Sequence, residues 1–432
     1  MLKRTTVVLA FFVIAGFTMP PKKSKLQTRV EELAVQVEPE VIEWRHHLHQ
    51  YPELSNREFK TAEYIAEHLK ALGLEVQTGV AKTGVVAILK GGKPGPVVAL
   101  RADIDGLPVP ERVELPWKSH EIGEYNGNEV PVMHACGHDT HVAILLGTAE
   151  VLSKVKQDLK GTVKFIFQPA EEGAPKGEEG GAELMVKEGV LKNPDVDAIF
   201  GLHISSGTHV GKINYKPGGT MASSNSFEIT IHGKQTHGSR PWGGIDPIVT
   251  AAQIINNAQT IVSRNMPLTK EAAVVTFGIV QGGVRSNIIP EEVKLVGTIR
   301  ALDNDMRDEI FKRLETIAVK TGESNGAKVD VVIDKGYPIT YNNVELTAKM
   351  LPTLQSVVGA QNVNLVPAVT GAEDFSFYQR EVPGFYFFLG GTPLSVAEKD
   401  APPHHTPDFY VDDSSLIIGV KTMSRLVVDY SM

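Results

Sequence analysis

Four short apolar runs, at residues 97–100, 163–167, 198–200 and 385–389, each lead toward polar residues able to bind a cation or move a proton. The first delivers Arg101, Asp103 and Asp105, the second Gln168, Glu171 and Glu172, and the third His203. The fourth runs through a proline-rich loop to His404 and His405. Between such runs lie helical patterns, as over 142–156, where apolar residues recur at three and four spacing. Alternating strands and helices predict an α/β sheet covered on both faces, and such sheets gather ligands at the carboxyl ends of their strands. Four separated segments place chemistry at such an end, so one shared site is expected there.

A further cluster is local. The single cysteine, Cys136, lies in the stretch 133–141 with His134, His138, Asp139 and His141. Imidazole and thiolate are ligands for zinc-like ions, and carboxylates complete such sites. The alternative is surface histidines beside a buried structural cysteine. One cysteine forms no intrachain disulfide, so stability comes from packing, metal or oligomerisation. A net charge of −8 with scattered basic residues excludes a nucleic-acid footprint.

Glu171 and Glu172 are adjacent on a tight loop after a strand. One can be held by metal while the other moves protons, and amide hydrolysis at a metal site needs that second group. A solvated acidic loop is the alternative, since Glu178 and Glu179 follow. Asp103 and Asp105, two apart on extended chain, share a face. One can orient a metal-bound histidine, or the pair can serve a loop salt bridge with Arg101. His203 is either a ligand or a satisfied core histidine. Of His404 and His405 at most one is expected to bind, because neighbours on extended chain point apart. Arg45, His46, His47 and His49 spread around a helix, which favours solvated or packing roles over ligation.

Residues 219–335 have a different rhythm. Strands are expected at 226–233, 272–281, 292–302 and 329–332, with helices at 245–264, where Pro247 falls in the first turn, and at 306–321. The order βαββαβ suggests a small inserted α+β, ferredoxin-like domain within a catalytic domain made of 25–218 and 336–432. In the insert, His237 lies in a polar turn after a strand. It, Asn287 and Arg300 suit either substrate contact or surface structure. Residues 30–72 read as amphipathic helix interrupted at 51–53. At the N-terminus, Lys3 and Arg4 precede an apolar run over 7–17, which predicts a signal peptide or uncleaved anchor over 1–24. An exported protein, periplasmic or secreted, is therefore expected, with no other membrane association.

Taken together, these motifs resemble the M20 metallopeptidase family, in its amidohydrolase branch of aminoacylases, hippurate hydrolases and auxin-conjugate hydrolases. The matching segments are 45–49 with 52–54, 100–108, 133–141, 167–173, 201–203, 287–290, 371–375 and 405–407, in order from about residue 40 to the C-terminus. The strings His-Ala-Cys-Gly-His-Asp and Gln-Pro-Ala-Glu-Glu-Gly are specific to that branch.

The resemblance implies hydrolysis of the amide of an N-acyl amino acid or short peptide at two divalent ions, zinc, manganese, cobalt or nickel. Cys136 would lie between the ions, His138 and His203 would complete one, and Glu172 and His405 the other. Glu171 would be the general base and acid, and Asp105 would support a metal ligand. Asp103 stands where other branches carry a metal-binding histidine, for which His138 compensates. His237, Asn287 and Arg300 match positions that hold the substrate carboxylate or the oxyanion. The insert commonly mediates dimerisation in the family and its histidine can reach the partner's site, so a homodimer is expected. Three residues depart from the pattern: His404 for an apolar residue, Trp242 for a frequent histidine, and Ala372 for a common serine. The alternatives are a dipeptidase or carboxypeptidase of the same family, a Cys136 thiol hydrolase, or a metal-dependent binding protein. The chain holds more ligand-type residues than a thiol hydrolase requires, and a pure binder has no use for a free base.

Overall fold

The computed structural model describes residues 23–432. The apolar run of the expected leader lies outside the described residues. No described helix is long and apolar enough to cross a membrane.

An eight-stranded mixed sheet forms the centre of the larger body. Its four middle strands, Lys160–Gln168, Lys93–Asp103, Ala198–His209 and Gly384–Thr392, are parallel neighbours. They carry the four apolar runs of the sequence. Side chains on a strand alternate between faces, and here both faces are covered. Leu100, Phe165, Phe167, Phe200, Phe385 and Phe387 enter a core shared with the helices His138–Lys154 and Leu416–Tyr430. Ala99, Ile166, Ile199 and Tyr386 enter another, with Met185, Phe375 and Tyr378 of the opposite layer. Burial on both sides is why these strands read as continuous apolar runs.

Several helix boundaries differ from expectation for physical reasons. The helix expected from 142 begins at His138. Gly137, at φ 89°, makes the turn into it, and a Cβ there would collide with Ile204. The first turn holds His138, Asp139 and His141, polar yet fully buried, so hydropathy alone hides it. The expected helical stretch 30–72 is three helices, Lys25–Gln36, Glu38–Gln50 and Phe59–Ala71. Beside the foreseen break at 51–53 there is another at Val37, ahead of Pro39 in the next first turn.

The insert builds a second, antiparallel sheet in the order Ala273–Gly282, Glu292–Ala301, Asn225–His232, Lys328–Asp334. Helices Pro247–Thr260 and Asn304–Ser324 contribute to its separate core, which holds Phe227, Ile229, Leu295, Ile254, Ile310 and Leu314. The chain order is βαββαβ, as the periodicity predicts. Asp246 caps the first helix at the amides of Ile248 and Val249 with Pro247 following, and Asp303 caps the second. The chain leaves the larger body along Gly218–Met221 and returns along Thr340–Asn342, and these two strands pair.

Candidate metal centre

Strand ends and one helix start bring the chemistry together. Asp103 ends the strand Lys93–Asp103, and Asp105 follows it. The loop after Lys160–Gln168 carries Glu171 and Glu172. His203 lies within a strand that runs on to His209, further than its apolar run suggested. Pairing with Lys93–Asp103 stops at Gly201, however, so the strand is free on that side at His203. Cys136 and His138 flank the turn into the helix His138–Lys154, and His405 arrives on the loop after Gly384–Thr392.

The resulting distances define two donor groups sharing one sulfur. Cys136 Sγ lies 3.4 Å from His203 Nε2 and 3.2 Å from His405 Nε2. His405 Nε2 is 3.1 Å from Glu172 Oε1. The donor atoms of Cys136, His138 and His203 lie within 4.8 Å of one another, as do those of Cys136, Glu172 and His405. Which nitrogen each histidine offers follows from its other partner. His138 Nδ1 donates to the Asp105 carbonyl at 2.9 Å and faces Asp105 Oδ1 at 3.2 Å. Its Nε2 is left buried without a hydrogen-bond partner. His203 Nδ1 donates to the Ile204 carbonyl at 2.6 Å, which turns its Nε2 toward the sulfur. Thiol, imidazole and carboxylate donors with an orphaned buried nitrogen fit a divalent cation.

Other histidines of the motifs are engaged elsewhere. His141 Nδ1 donates to Asp103 Oδ1 at 2.5 Å, and its Nε2 accepts the Ile204 amide at 2.8 Å. His404 and His405 point apart: His404 Nε2 accepts the Ser206 amide at 3.2 Å and its ring packs on Phe409. In the helical cluster Arg45 and His49 are buried, bonded to Asp139 Oδ2 at 2.8 Å and 2.9 Å, and they secure the turn that carries His138. His46 stacks on Trp117 and His47 on Tyr64.

Burial, then the Glu172 and Glu171 charges, push the Cys136 thiol well above its ordinary range. Burial, then Glu373, Glu172 and Asp374, push Glu171 up as well. Burial lowers His138, but Asp103 and Asp105 outweigh it and raise the ring to about 10. A cluster so rich in carboxylate stabilises added positive charge, and a bound cation would reverse the shift of a coordinating thiol. Burial also pushes Asp105 up, yet bonds from His138, Ser55 and the Glu172 amide prevail and hold its carboxyl below the usual range.

Beneath the site, the Arg101 guanidinium bonds Asp103 at 2.6 Å and Glu373 and Asp374 at 2.9 Å each. The salt bridge weighed for Asp103 is therefore real, although it is part of a buried network rather than a loop. Glu373 and Asp374 received no individual role from the sequence, yet both have carboxylate oxygens within 4.8 Å of one on Glu171. Their signal was an adjacent acidic pair like Glu171 and Glu172, lacking an apolar run before it.

A cavity of about 750 Å³ opens on the centre. Cys136, Glu171, Glu172, His203 and His405 form one wall, while Met221, Val366, Pro367, Val369 and Phe388 form another. No lysine or arginine is among the described lining residues. His237, Asn287 and Arg300 do not line it either. His237 is exposed, its Nδ1 accepting from the Ser239 amide and facing the Ser239 hydroxyl at 2.8 Å. The Asn287 carbonyl accepts the Gly238 amide, which keeps these two together, and Arg300 is half-buried on Glu292–Ala301. One chain alone does not bring these three to the metal-binding wall.

Residues 99–429 match the model of the peptidase family M20/M25/M40. Thermostable carboxypeptidase 1 of Saccharolobus solfataricus is 39% identical over 94% of this chain and 98% of its own length. An N-acetyl-L-cysteine deacetylase of Bacillus subtilis is 37% identical over 88% of this chain and 86% of its own. The crystal structure of a dinuclear metal-binding M20 peptidase from Bacillus subtilis superposes with a TM-score of 0.75 at 33% identity, covering 91% of this chain and 98% of that one.

Proposed function

The chain belongs to the M20/M25/M40 peptidase family and is a metal-dependent hydrolase of amide bonds, and we propose that it cleaves N-acyl amino acids or short peptides, releasing an amino acid and a carboxylic acid. The observation that carries this is the pair of donor groups sharing Cys136, with Glu171 beside them. Cys136, His138 and His203 would hold one divalent cation, and Cys136, Glu172 and His405 a second, with zinc, manganese, cobalt and nickel as candidates. Bound there, such cations would supply Lewis acidity, lowering the pKa of a water and polarising the substrate carbonyl.

The chain's own residues do the rest. Glu171 takes the water's proton as its oxygen attacks the carbonyl carbon, then gives a proton to the leaving nitrogen as the C–N bond breaks. Burial with Glu373, Glu172 and Asp374 nearby favours the proton-bearing form needed for the second transfer, and the charge of bound cations would favour the carboxylate needed for the first. Asp105 orients His138 and the Glu172 amide. The apolar wall of Met221, Val369 and Phe388 takes the acyl group, or the side chain of a peptide. His237 donates to the developing oxyanion once the insert closes or a partner subunit delivers it, with Asn287 and Arg300 holding the substrate carboxylate.

A homodimer provides that delivery. Ala273–Gly282 is an edge strand with Ile279 and Val280 exposed, and Ile248 and Val249 are exposed on the helix Pro247–Thr260. An open apolar edge suits pairing with a second copy. Export through residues 1–24 belongs to the same proposal.

The resemblance to a carboxypeptidase supports the peptide reading. The apolar wall of Met221, Val366, Pro367, Val369 and Phe388 favours uncharged acyl groups there. The test is metal analysis joined to an activity screen across N-acyl amino acids and dipeptides, before and after chelation. Two divalent ions per chain, and activity that chelation removes and added metal restores, are expected. Chelation-resistant turnover would point to the Cys136 thiol instead, and no turnover of any amide would reject the proposal.

A further inference from the structure

Three bonds from separate parts of the chain hold the loop 169–173. The Ala170 amide donates to Glu58 Oε1 at 2.9 Å, and the Glu172 amide donates to Asp105 Oδ2 at 3.1 Å. The Tyr337 hydroxyl donates to the carbonyl oxygen of Glu171 at 2.6 Å. Ala170 sits at φ 50°, a left-handed conformation that alanine resists, so the loop needs such ties to keep its shape.

Glu58 and Asp105 belong to the larger body, but Tyr337 stands at the junction with the insert. It lies between the insert's last strand, Lys328–Asp334, and the returning strand Thr340–Asn342. Its backbone carbonyl accepts the Ser224 amide at 2.9 Å, on the segment that leads outward into the insert. Both crossings therefore meet at Tyr337, and the same residue's side chain touches the peptide joining Glu171 to Glu172. The ring also packs edge-on against Phe377 at 6.1 Å and lines the cavity.

We infer that Tyr337 is a positioning residue whose hydroxyl fixes the Glu171–Glu172 peptide, tying the placement of the insert to the aim of the general base. Glu171 is the base only in the function proposed above, so the coupling rests on that assignment. The same Glu171–Glu172 peptide is held at its other end by the Glu172 amide on Asp105 Oδ2, so losing the hydroxyl loosens the Glu171 side while the Glu172 side stays anchored. That loosening lets Glu171 swing away from the carbonyl carbon while the cavity that binds the acyl group is unchanged. The effect therefore falls on kcat rather than KM.

The experiment is Tyr337→Phe, which keeps the ring and its packing on Phe377 and removes only the hydroxyl. With an N-acyl amino acid that the wild type hydrolyses, kcat per metal-loaded chain should fall on the order of tenfold, within the ~10²-fold that about an ångström of misplacement can cost. KM and metal content should stay within about twofold. Amide exchange should quicken in 169–173 while the strand Lys160–Gln168 keeps its protection. Unchanged kcat in the folded, loaded variant would overturn the inference, as would a loss that added metal restores. If the wild type hydrolyses none of the substrates, the Glu171 assignment fails by itself, and unchanged exchange in 169–173 would then overturn the tie separately. Should Tyr337→Phe not fold, Phe377→Leu loosens the ring with the hydroxyl kept. A smaller fall in kcat with faster exchange in the same loop is expected, and no change in either overturns the coupling.

Discussion

Replacing Asp105 by asparagine should weaken metal binding roughly 30-fold without unfolding the protein. Asp105→Asn is nearly isosteric, so packing around a residue only 1% exposed is kept while its charge is removed. Three donors converge on the carboxylate: the Ser55 hydroxyl at 2.7 Å and the Glu172 amide at 3.1 Å on Oδ2, and His138 Nδ1 at 3.2 Å on Oδ1. Asparagine has one acceptor oxygen, so its amino group must face at least one of them. Turned toward His138, it opposes the Nδ1 proton. The Asp105 backbone carbonyl still accepts that proton at 2.9 Å, so the tautomer survives and the site weakens rather than collapses. A lost hydrogen bond to a charged group costs about 1.5–3 kcal/mol. Removing a carboxylate that steadies a ligand histidine typically lowers metal affinity ~10–100-fold. Both ranges contain about 2 kcal/mol, or roughly 30-fold in Kd. Competition with a chromogenic chelator at constant pH measures it, followed by kcat at saturating metal. An unchanged metal Kd in the folded variant would refute the orienting role of Asp105.

The two adjacent glutamates should separate cleanly: Glu171→Gln keeps its metal and loses ~10²–10⁴-fold in kcat, whereas Glu172→Gln loses metal, and the reverse pattern in metal analysis and kinetics would swap their roles. Asp139→Asn takes from buried Arg45 and His49 the carboxylate they share, leaving Asp413 beside one and Glu111 beside the other, and should cost about 1.5–3 kcal/mol in urea denaturation. Burial pushes the Asp139 carboxyl up, but Arg45 and His49 outweigh it and hold it well below the usual ~3.9. Its contribution is thus complete above that value and fades as pH falls toward the folded pKa, so the gap between wild type and variant should begin to narrow below about pH 4 and keep narrowing with further acidification. Val280→Glu on the exposed edge strand should convert a dimer to a monomer in ultracentrifugation, and an unshifted sedimentation coefficient would place the interface elsewhere. His237→Ala should damage kcat/KM far more than thermal stability, because the side chain is exposed and its Nδ1 partners Ser239 of the same turn.

Much of the architecture is local information. The runs at 97–100, 163–167, 198–200 and 385–389, alternating with helical patterns, read as strands buried on both faces, because uninterrupted apolar segments have no solvated face to offer. The insert was equally legible, since period-two strands and 3.6-period helices follow from which side of each element meets its core. Side-chain chemistry also showed which residues could bind a cation: one thiol, a set of histidines and paired carboxylates. Tertiary structure alone decided which histidines remain free to do so. His138, His141, His203, His404 and His405 are chemically identical, and it is the partners the fold supplies, most of them remote in sequence, that occupy one nitrogen and leave or close the other. Asp105 and Ile204 leave Nε2 open on His138 and His203, whereas Asp103 and Ile204 close both nitrogens of His141. The early start of the helix at His138 was hidden for a related reason. A polar turn looks like loop until the buried Asp139 is seen to meet Arg45 and His49, and those contacts exist only once the chain has folded.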